Sequence, residues 1–402
     1  MLIMKILGKE RIERLLFQFF RWVPFRNKTV LFKSFGGQYN DNPKYISEML
    51  HQMSPGTRIV WIISDKCKDL VPEYVTTIPY HGLKYYYYTG RSNVVVDNIT
   101  GIRGGIEESY SKFFLWTMKS KHQLNIATWH GTPIKKIGLD TKELKEKKYY
   151  LTSADFMISG CKYTQEHLAK AFFPIPVINS GTPRNDLLVK KMSFENLYRL
   201  KRKLDLPYDK KIILFAPTFR NNVEYSGVKQ MQEFDIKKII SLFEHKFGGE
   251  WIFVFRVHHE VLKKIDTDAL VRNNPLYLFD GNKHDDMAEY LAVTDVLITD
   301  YSGSIFDFAL TGKPCFLYTP DKERYITDER GVYIPLEELP YPHSTRIDEL
   351  YQLIEQYDED VSHKRIQDFN LLIGNSEIGN AAEKITNIIC DFIKRGRKEN
   401  IL

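Results

Sequence analysis

The run Val296-Leu297-Ile298, followed by Thr299-Asp300-Tyr301-Ser302-Gly303-Ser304-Ile305-Phe306-Asp307, constrains this chain more than any other stretch. Its apolar start reads as a buried strand, and Ile305 to Leu310 reads as an amphipathic helix. A strand that ends in small hydroxyl residues and a glycine, then turns into a helix, gathers backbone N–H groups at the positive end of the helix dipole. Such a bowl suits a phosphate. Gly303 lets the backbone come close to a ligand, and Ser302 and Ser304 add hydroxyl donors. The same residue types also make an ordinary helix cap, and this stretch alone does not separate the two readings.

Strand-then-helix signals recur along the chain. The first series of expected strands is Thr29 to Phe32, Arg58 to Ile63, Val94 to Val96, Asn125 to Thr128, Phe156 to Ser159 and Val177 to Asn179. Helical stretches such as Pro43 to Met53 and Thr164 to Phe172 separate them. After a charged helix, Glu195 to Lys203, a second series runs through Lys211 to Phe215, Trp251 to Val257, Leu276 to Phe279, Val296 to Ile298 and Cys315 to Tyr318. This alternation predicts an α/β chain of two doubly wound, Rossmann-type domains in tandem. The expected boundaries are 1–24 for an amphipathic surface helix, 25–205 and 206–376 for the two domains, and 377–402 for a helix packing back. The 402 residues, 43% of them hydrophobic, suffice for that many cores.

In the first segment, Ile12, Leu15, Leu16, Phe19, Phe20 and Val23 fall at helical spacing among Lys5, Lys9, Arg11, Arg14 and Arg21. An apolar face rimmed by basic residues suits a membrane interface, although packing on its own domain is the commoner fate of such a stripe. A net charge of +6 fits an anionic substrate or membrane surface and is too weak to argue for nucleic acid. The four cysteines form no CxxC pair, so neither a zinc site nor a disulfide framework is expected. No apolar run reaches the roughly 18 residues of a spanning helix, and charges interrupt the N-terminal apolar region. The expected location is cytoplasmic.

Ligands of open α/β sheets bind beyond the carboxyl ends of the strands, and several polar groups fall there. Trp129-His130-Gly131-Thr132-Pro133 follows one strand; a histidine at such an end suits proton abstraction from a hydroxyl, or the capping of a turn. Ala216-Pro217-Thr218-Phe219-Arg220 follows another, with Thr218 and Arg220 as candidates for phosphate oxygens. Arg256-Val257-His258-His259 follows a third, and strand alternation sets Arg256 and His258 on one side, where they would neutralise a leaving phosphate. Adjacent histidines point oppositely on a strand, so no metal site is expected there. Asp300 and Asp307 flank the bowl, an acidic residue being suited to ribose hydroxyls. The turn Gly181 to Asp186 reads as structural first, and the two DxD patterns, Asp266 to Asp268 and Asp358 to Asp360, carry little weight. Together these residues predict a cleft between two domains that takes a nucleotide diphosphate. Attack by a hydroxyl on one phosphorus would expel the nucleoside monophosphate.

At these residues the chain resembles the CDP-glycerol glycerophosphotransferases of teichoic acid synthesis in Gram-positive bacteria. The matching segments are Phe35-Gly36-Gly37 through Tyr39 to Pro43, Thr128 to Gly138, Gly181 to Asp186, Ala216 to Arg220, Arg256 to His258 and Thr299 to Pro314. The resemblance implies a GT-B-like fold, peripheral attachment to the cytoplasmic face of the membrane, and no flavin or nicotinamide. It places the essential histidines on His130, as base, and on His258. It places nucleotide-diphosphate contacts on Thr218, Arg220 and the bowl of Ser302, Gly303 and Ser304; Thr132, Pro217, Arg256, Asp300 and Asp307 complete the expected substrate-binding set. The implied partners are CDP-glycerol, an undecaprenyl-linked glycolipid acceptor and the membrane surface, with a homo-oligomer or synthesis complex left open. His259 stands where the family has proline, Gly303 where many members have serine, and Leu339-Pro340-Tyr341-Pro342 where a Pro-Gly-Pro turn is usual. The last departure puts the identity of the acceptor in doubt. The chain resembles the short members, which add the first or first few units. Ribitol phosphate or capsule-polymer transfer, a glycosyltransferase using a sugar nucleotide, and a non-catalytic membrane-surface protein are the rival expectations.

Overall fold

The computed structural model describes residues 16, 19–20, 28–80, 82–99, 122–142, 144–148, 152–218, 220, 228–257, 271–272, 276–328 and 331–396. It divides into two compact units. The first holds the described residues up to His130, Gly138–Asp186 and those from Ser376 onward; the second holds Gly131–Ile137 and Leu187–Asn375.

The first unit is built on a seven-stranded parallel sheet in the order β3-β2-β1-β4-β5-β6-β7. The strands are β1 Thr29–Lys33, β2 Arg58–Ile62, β3 Thr76–Ile78, β4 Val94–Asp97, β5 Leu124–Ala127, β6 Phe156–Ser159 and β7 Val177–Asn179. Their apolar runs are unbroken because both faces are covered. Val30 and Phe32 of β1, with Ile59 and Trp61 of β2, enter one core; Leu31, Val60 and Ile62 enter the other. The C-terminal helix Ala381–Arg395 closes the first core with Ile385, Ile389 and Phe392, all at 0% exposure. Asp186 fixes the start of that helix, its two carboxylate oxygens accepting from the N–H groups of Ala381 and Ala382. Tyr85 and Tyr86, from the run of consecutive tyrosines Tyr85 to Tyr88, are buried in the second core.

The second unit carries a six-stranded parallel sheet in the order β10-β9-β8-β11-β12-β13. Its strands are β8 Lys211–Phe215, β9 Trp251–Phe255, β10 Leu278–Asp280, β11 Val296–Thr299, β12 Cys315–Tyr318 and β13 His343–Ser344. Ile213, Phe215, Phe253, Ile298 and Phe316 build its main core with Phe243 of the helix Ile236–Phe247. Both sheets start in the middle and wind outward in both directions, so the doubly wound, GT-B-like reading of the sequence holds. In each, the order reverses between two central strands: β1 and β4 in the first, β8 and β11 in the second.

Two strands escaped the sequence reading. β3 is a three-residue edge with one fully buried side chain, and β13 has two residues beside prolines. The charged helix Phe194–Lys203 belongs to the second unit, where Lys203 pairs with Glu289 at 2.6 Å. Asp358 of the Asp358-Glu359-Asp360 pattern is a helix cap, accepting the Val361 N–H at 2.9 Å. The pattern at Asp266 to Asp268 lies outside the described residues, as does most of the expected surface helix. Its described residues Leu16 and Phe20 pack against the second core of the first unit, while Phe19 is exposed. Among the described residues, no helix is long and apolar enough to cross a membrane.

Because Phe392 fills the first core from a helix that arrives last in the chain, Phe392→Ala is expected to cost about 3–5 kcal/mol in that unit alone. Hydrogen exchange by mass spectrometry on the full chain checks it. Faster exchange in β1 and β2, with β8 and β11 unchanged, is expected; no change in β1 and β2 contradicts it.

Candidate active site

Thr128 follows β5, and the chain then turns sharply through Trp129, His130 and Gly131. Trp129 has φ +55° and Gly131 φ +135°. A bulky residue held left-handed costs about 1–3 kcal/mol and needs outside support. Asn42 supplies it: its Nδ2–H donates to the Trp129 carbonyl at 3.1 Å, and the indole packs on Phe172 with ring centroids 4.9 Å apart. The turn presents His130 beside Asn98, the residue that follows β4. The His130 Nδ1 lies 2.9 Å from the Asn98 carbonyl. A carbonyl only accepts, so Nδ1 carries the proton and Nε2 keeps the lone pair. The ring keeps an exposed edge, while protein atoms crowd it on its other sides. That crowding draws its pKa below the ordinary 6.5; the Asn98 hydrogen bond and the nearby Asp41 charge pull it back up.

In the second unit, the turns after β8 and β11 are tied through one carboxylate. Asp300 Oδ1 accepts from the N–H groups of Thr218 at 2.8 Å and Tyr301 at 2.6 Å, and Oδ2 accepts from Arg220 Nη1 at 2.6 Å. Asp321, just after β12, takes the Nε and Nη2 of Arg220 at 2.9 and 3.1 Å. The Arg220 guanidinium also lies 5.2 and 5.3 Å from the ring centroids of Tyr301 and Tyr325. Those two rings stack at 3.6 Å. Burial alone would push the Arg220 pKa down, but Asp300 and Asp321 hold it above its ordinary value.

Beside this buried cluster lies the Ser302-Gly303-Ser304 turn, and both readings of it have support. Ser302 Oγ accepts from the Ser304 N–H at 3.3 Å and the Ser304 hydroxyl at 2.8 Å, as a cap does. Among the described residues, the N–H groups of Ser302 and Gly303 have no acceptor, and the Thr218 hydroxyl is buried without a partner. Open donors next to an orphan hydroxyl fit an anion. The glycine is needed for space: its φ is −61°, which any residue adopts, but an added Cβ would sit 2.7 Å from the Thr132 carbonyl. Thr132 lies in the segment Gly131–Ile137, which pairs with the strip at Gly331 to Tyr333.

The arginines depart from expectation. Arg220 is 2% exposed with two carboxylates on its guanidinium, so it positions the turns and offers no open fork to a phosphate. Arg256 is turned onto the loop that follows β10, donating to the carbonyls of Gly281 and His284 at 2.5 Å and of Asp285 at 2.7 Å. Asp300 is likewise engaged, and Asp307 is buried within the helix Ser304–Ala309. Pro217 is buried. His258 and His259 lie outside the described residues. No cluster of three or more metal-ligating side chains occurs among the described residues. The sequence reading gave no role to Asn98, Asp321, Asp41, Asn42 or Arg184. Asn98 and Asp321 follow strands, so the strand-end rule was the available signal.

A family model for CDP-Glycerol:Poly(glycerophosphate) glycerophosphotransferase matches residues 15–391, and the chain belongs to this family. It is 31% identical over 389 residues to a teichoic acid poly(glycerol phosphate) polymerase of Bacillus subtilis (strain 168), covering 91% of this chain and 49% of that protein. It is 27% identical over 389 residues to a teichoic acid glycerol-phosphate transferase of Staphylococcus aureus (strain NCTC 8325 / PS 47), covering 90% and 93%. The chain thus spans about half the length of the first relative and most of the second. A solved structure of the wall teichoic acid polymerase TagF with CDPG superimposes with a TM-score of 0.77 at 26% identity, over 97% of this chain and 95% of that one.

Removing the Arg220 cation leaves two carboxylates buried against each other. Arg220→Met is expected to destabilise the second unit by about 3–5 kcal/mol, read as a lowered midpoint for that unit in chemical denaturation. An unchanged midpoint contradicts the assignment.

Proposed function

We propose that the chain transfers glycerol phosphate from CDP-glycerol to a hydroxyl of an undecaprenyl-diphosphate-linked acceptor, releasing CMP, at the cytoplasmic face of the membrane. Membership of the glycerophosphotransferase family supports the reaction class. The observation that carries the mechanism is the His130 tautomer: with Nδ1–H bound to Asn98, the remaining nitrogen is a base.

The acceptor hydroxyl oxygen attacks the phosphorus that bears glycerol. The bond from that phosphorus to the oxygen bridging to the cytidine phosphate breaks, and CMP departs with the electron pair. His130 Nε2 takes the hydroxyl proton. Thr218 and the open N–H groups of Ser302 and Gly303 hold the diphosphate oxygens, with the Ser302 and Ser304 hydroxyls beside them. Asp300 and Arg220 act through those turns by fixing them. Thr132 joins this group because its carbonyl packs on Gly303. From the resemblance, His258 is the second essential histidine and stabilises charge on the departing CMP, and the basic N-terminal segment attaches the protein to the membrane. A ribitol donor stays in view, since the chain is also 25% identical over 391 residues to a teichoic acid ribitol-phosphate primase of Bacillus spizizenii (strain ATCC 23059 / NRRL B-14472 / W23).

Product analysis by mass spectrometry with CDP-glycerol, CDP-ribitol and UDP-sugars, each with a short-chain lipid acceptor, tests donor and acceptor together. CMP release from CDP-glycerol with a glycerophosphate mass added to the lipid is expected. UDP release from a UDP-sugar overturns the reading. His130→Ala should lower turnover by about 10²–10⁴.

The pH profile follows from the lowered pKa. A depressed imidazole stays neutral, and so basic, to lower pH than a free one. The acid limb of kcat/KM is therefore expected below pH 6.5, with a plateau through neutrality. A limb above that value contradicts the assignment of His130 as base.

A further inference from the structure

We propose that Asp41, acting through Asn98, is a positioning residue that holds His130 in its basic tautomer, with Arg184 as the opposing charge that sets how strongly it does so.

Asn98 is 3% exposed at the end of β4, and its carbonyl takes the His130 Nδ1–H. The place of that carbonyl is fixed by the Asn98 side chain, whose Nδ2 donates to Asp41 Oδ2 at 2.7 Å and to Ser34 Oγ at 3.0 Å. A carboxylate accepts only, so the amide's orientation is determined. Asp41 is itself held: Oδ1 accepts from Arg184 Nη1 at 2.7 Å and from the Asn42 N–H at 2.8 Å. Both members of the ion pair are shielded, at 11% and 13% side-chain exposure, so solvent screens them little. Asn42 closes the circuit. Its Oδ1 accepts the Arg184 N–H at 3.1 Å and its Nδ2 donates to the Trp129 carbonyl. The ring is thus gripped from its own turn and from the residue at its Nδ1, and both grips lead back to Asp41 and Arg184.

The geometry around Asp41 marks it as more than a helix start. Asp41 has φ +57° at the head of the helix Asp41–Met53, a backbone state that aspartate and asparagine tolerate. Arg184 sits in the turn Pro183–Asn185, which is clamped from the C-terminal segment: Glu377 accepts the Thr182 N–H through both carboxylate oxygens and the Asn185 amide through one. Among the described residues, Asp41 from the helix head and Arg184 from this turn are the charged groups that act on the ring. Their signs oppose: Asp41 favours the imidazolium and Arg184 disfavours it.

Opposed signs give a test that general damage to the fold does not imitate. The full chain, labelled with ¹⁵N-histidine, is titrated by NMR, with His130 assigned through His130→Gln. In the parent, His130 should show the Nδ1–H tautomer. Asp41→Asn, which suits the same backbone state, should lower the His130 pKa and mix the tautomers; Arg184→Gln should raise the pKa. The acid limb of kcat/KM with CDP-glycerol should move with the same signs. An Nε2–H tautomer in the parent, or shifts of one sign in both variants, overturns the proposal. The kinetic arm rests on the proposed phosphotransfer, whereas the NMR arm does not. Opposite NMR shifts without any turnover of CDP-glycerol would leave this coupling standing and remove the functional reading; turnover without NMR shifts would do the reverse.

Discussion

A parallel sheet covered on both faces has no room for polar side chains along its strands, and its backbone is satisfied only within the ladder. Polar chemistry is therefore driven to the carboxyl ends, and the widest opening there is where the strand order reverses. Both units obey this constraint. In the first, Ser34 follows β1, Asn98 follows β4, and one amide links them. In the second, Thr218 follows β8, Asp300 follows β11, and one carboxylate ties the turns. Everything argued about function rests on residues that the sheets placed there.

The two units solve different problems at the same topological position. The first builds a rigid seat for one imidazole, with left-handed backbone at Asp41 and Trp129 around it. The second buries the charges of Asp300 and Arg220 and, among the described residues, leaves neutral donors without an acceptor: two backbone N–H groups, the Ser302 hydroxyl and the threonine of the β8 turn. For a diphosphate this division is sensible. Fixed dipoles bind charge without the flexibility of a long cation, and a preorganised donor reorganises little as charge shifts in the reaction. Arg220 serves that arrangement from behind, neutralising Asp300 so that a carboxylate can sit near an anion site.

Most of the fold was legible because unbroken apolar runs of four or five residues between helical stretches admit few other structures. The failures have physical causes. β3 and β13 are short edges, with too few buried side chains to leave a pattern. Arg220 and Arg256 look like phosphate ligands in a sequence because an arginine shows its charge there and hides its partners. Asp300 and Asp321 lie 80 and 101 residues from Arg220, and Arg256 is spent on main-chain carbonyls that no sequence pattern reveals. His130 was found by its place after a strand. The contact that fixes its proton on Nδ1, with the carbonyl of Asn98 32 residues earlier, follows only from β4 lying beside β5.

The central proposal is that donor binding belongs to the Ser302 turn and proton abstraction to His130. Calorimetric titration of CDP-glycerol into His130→Gln and Ser302→Asp separates them most directly. The account predicts parent-like affinity for the histidine variant, and at least tenfold weaker binding when a carboxylate is set among the open N–H groups. Lost affinity in His130→Gln together with parent-like affinity in Ser302→Asp would contradict it.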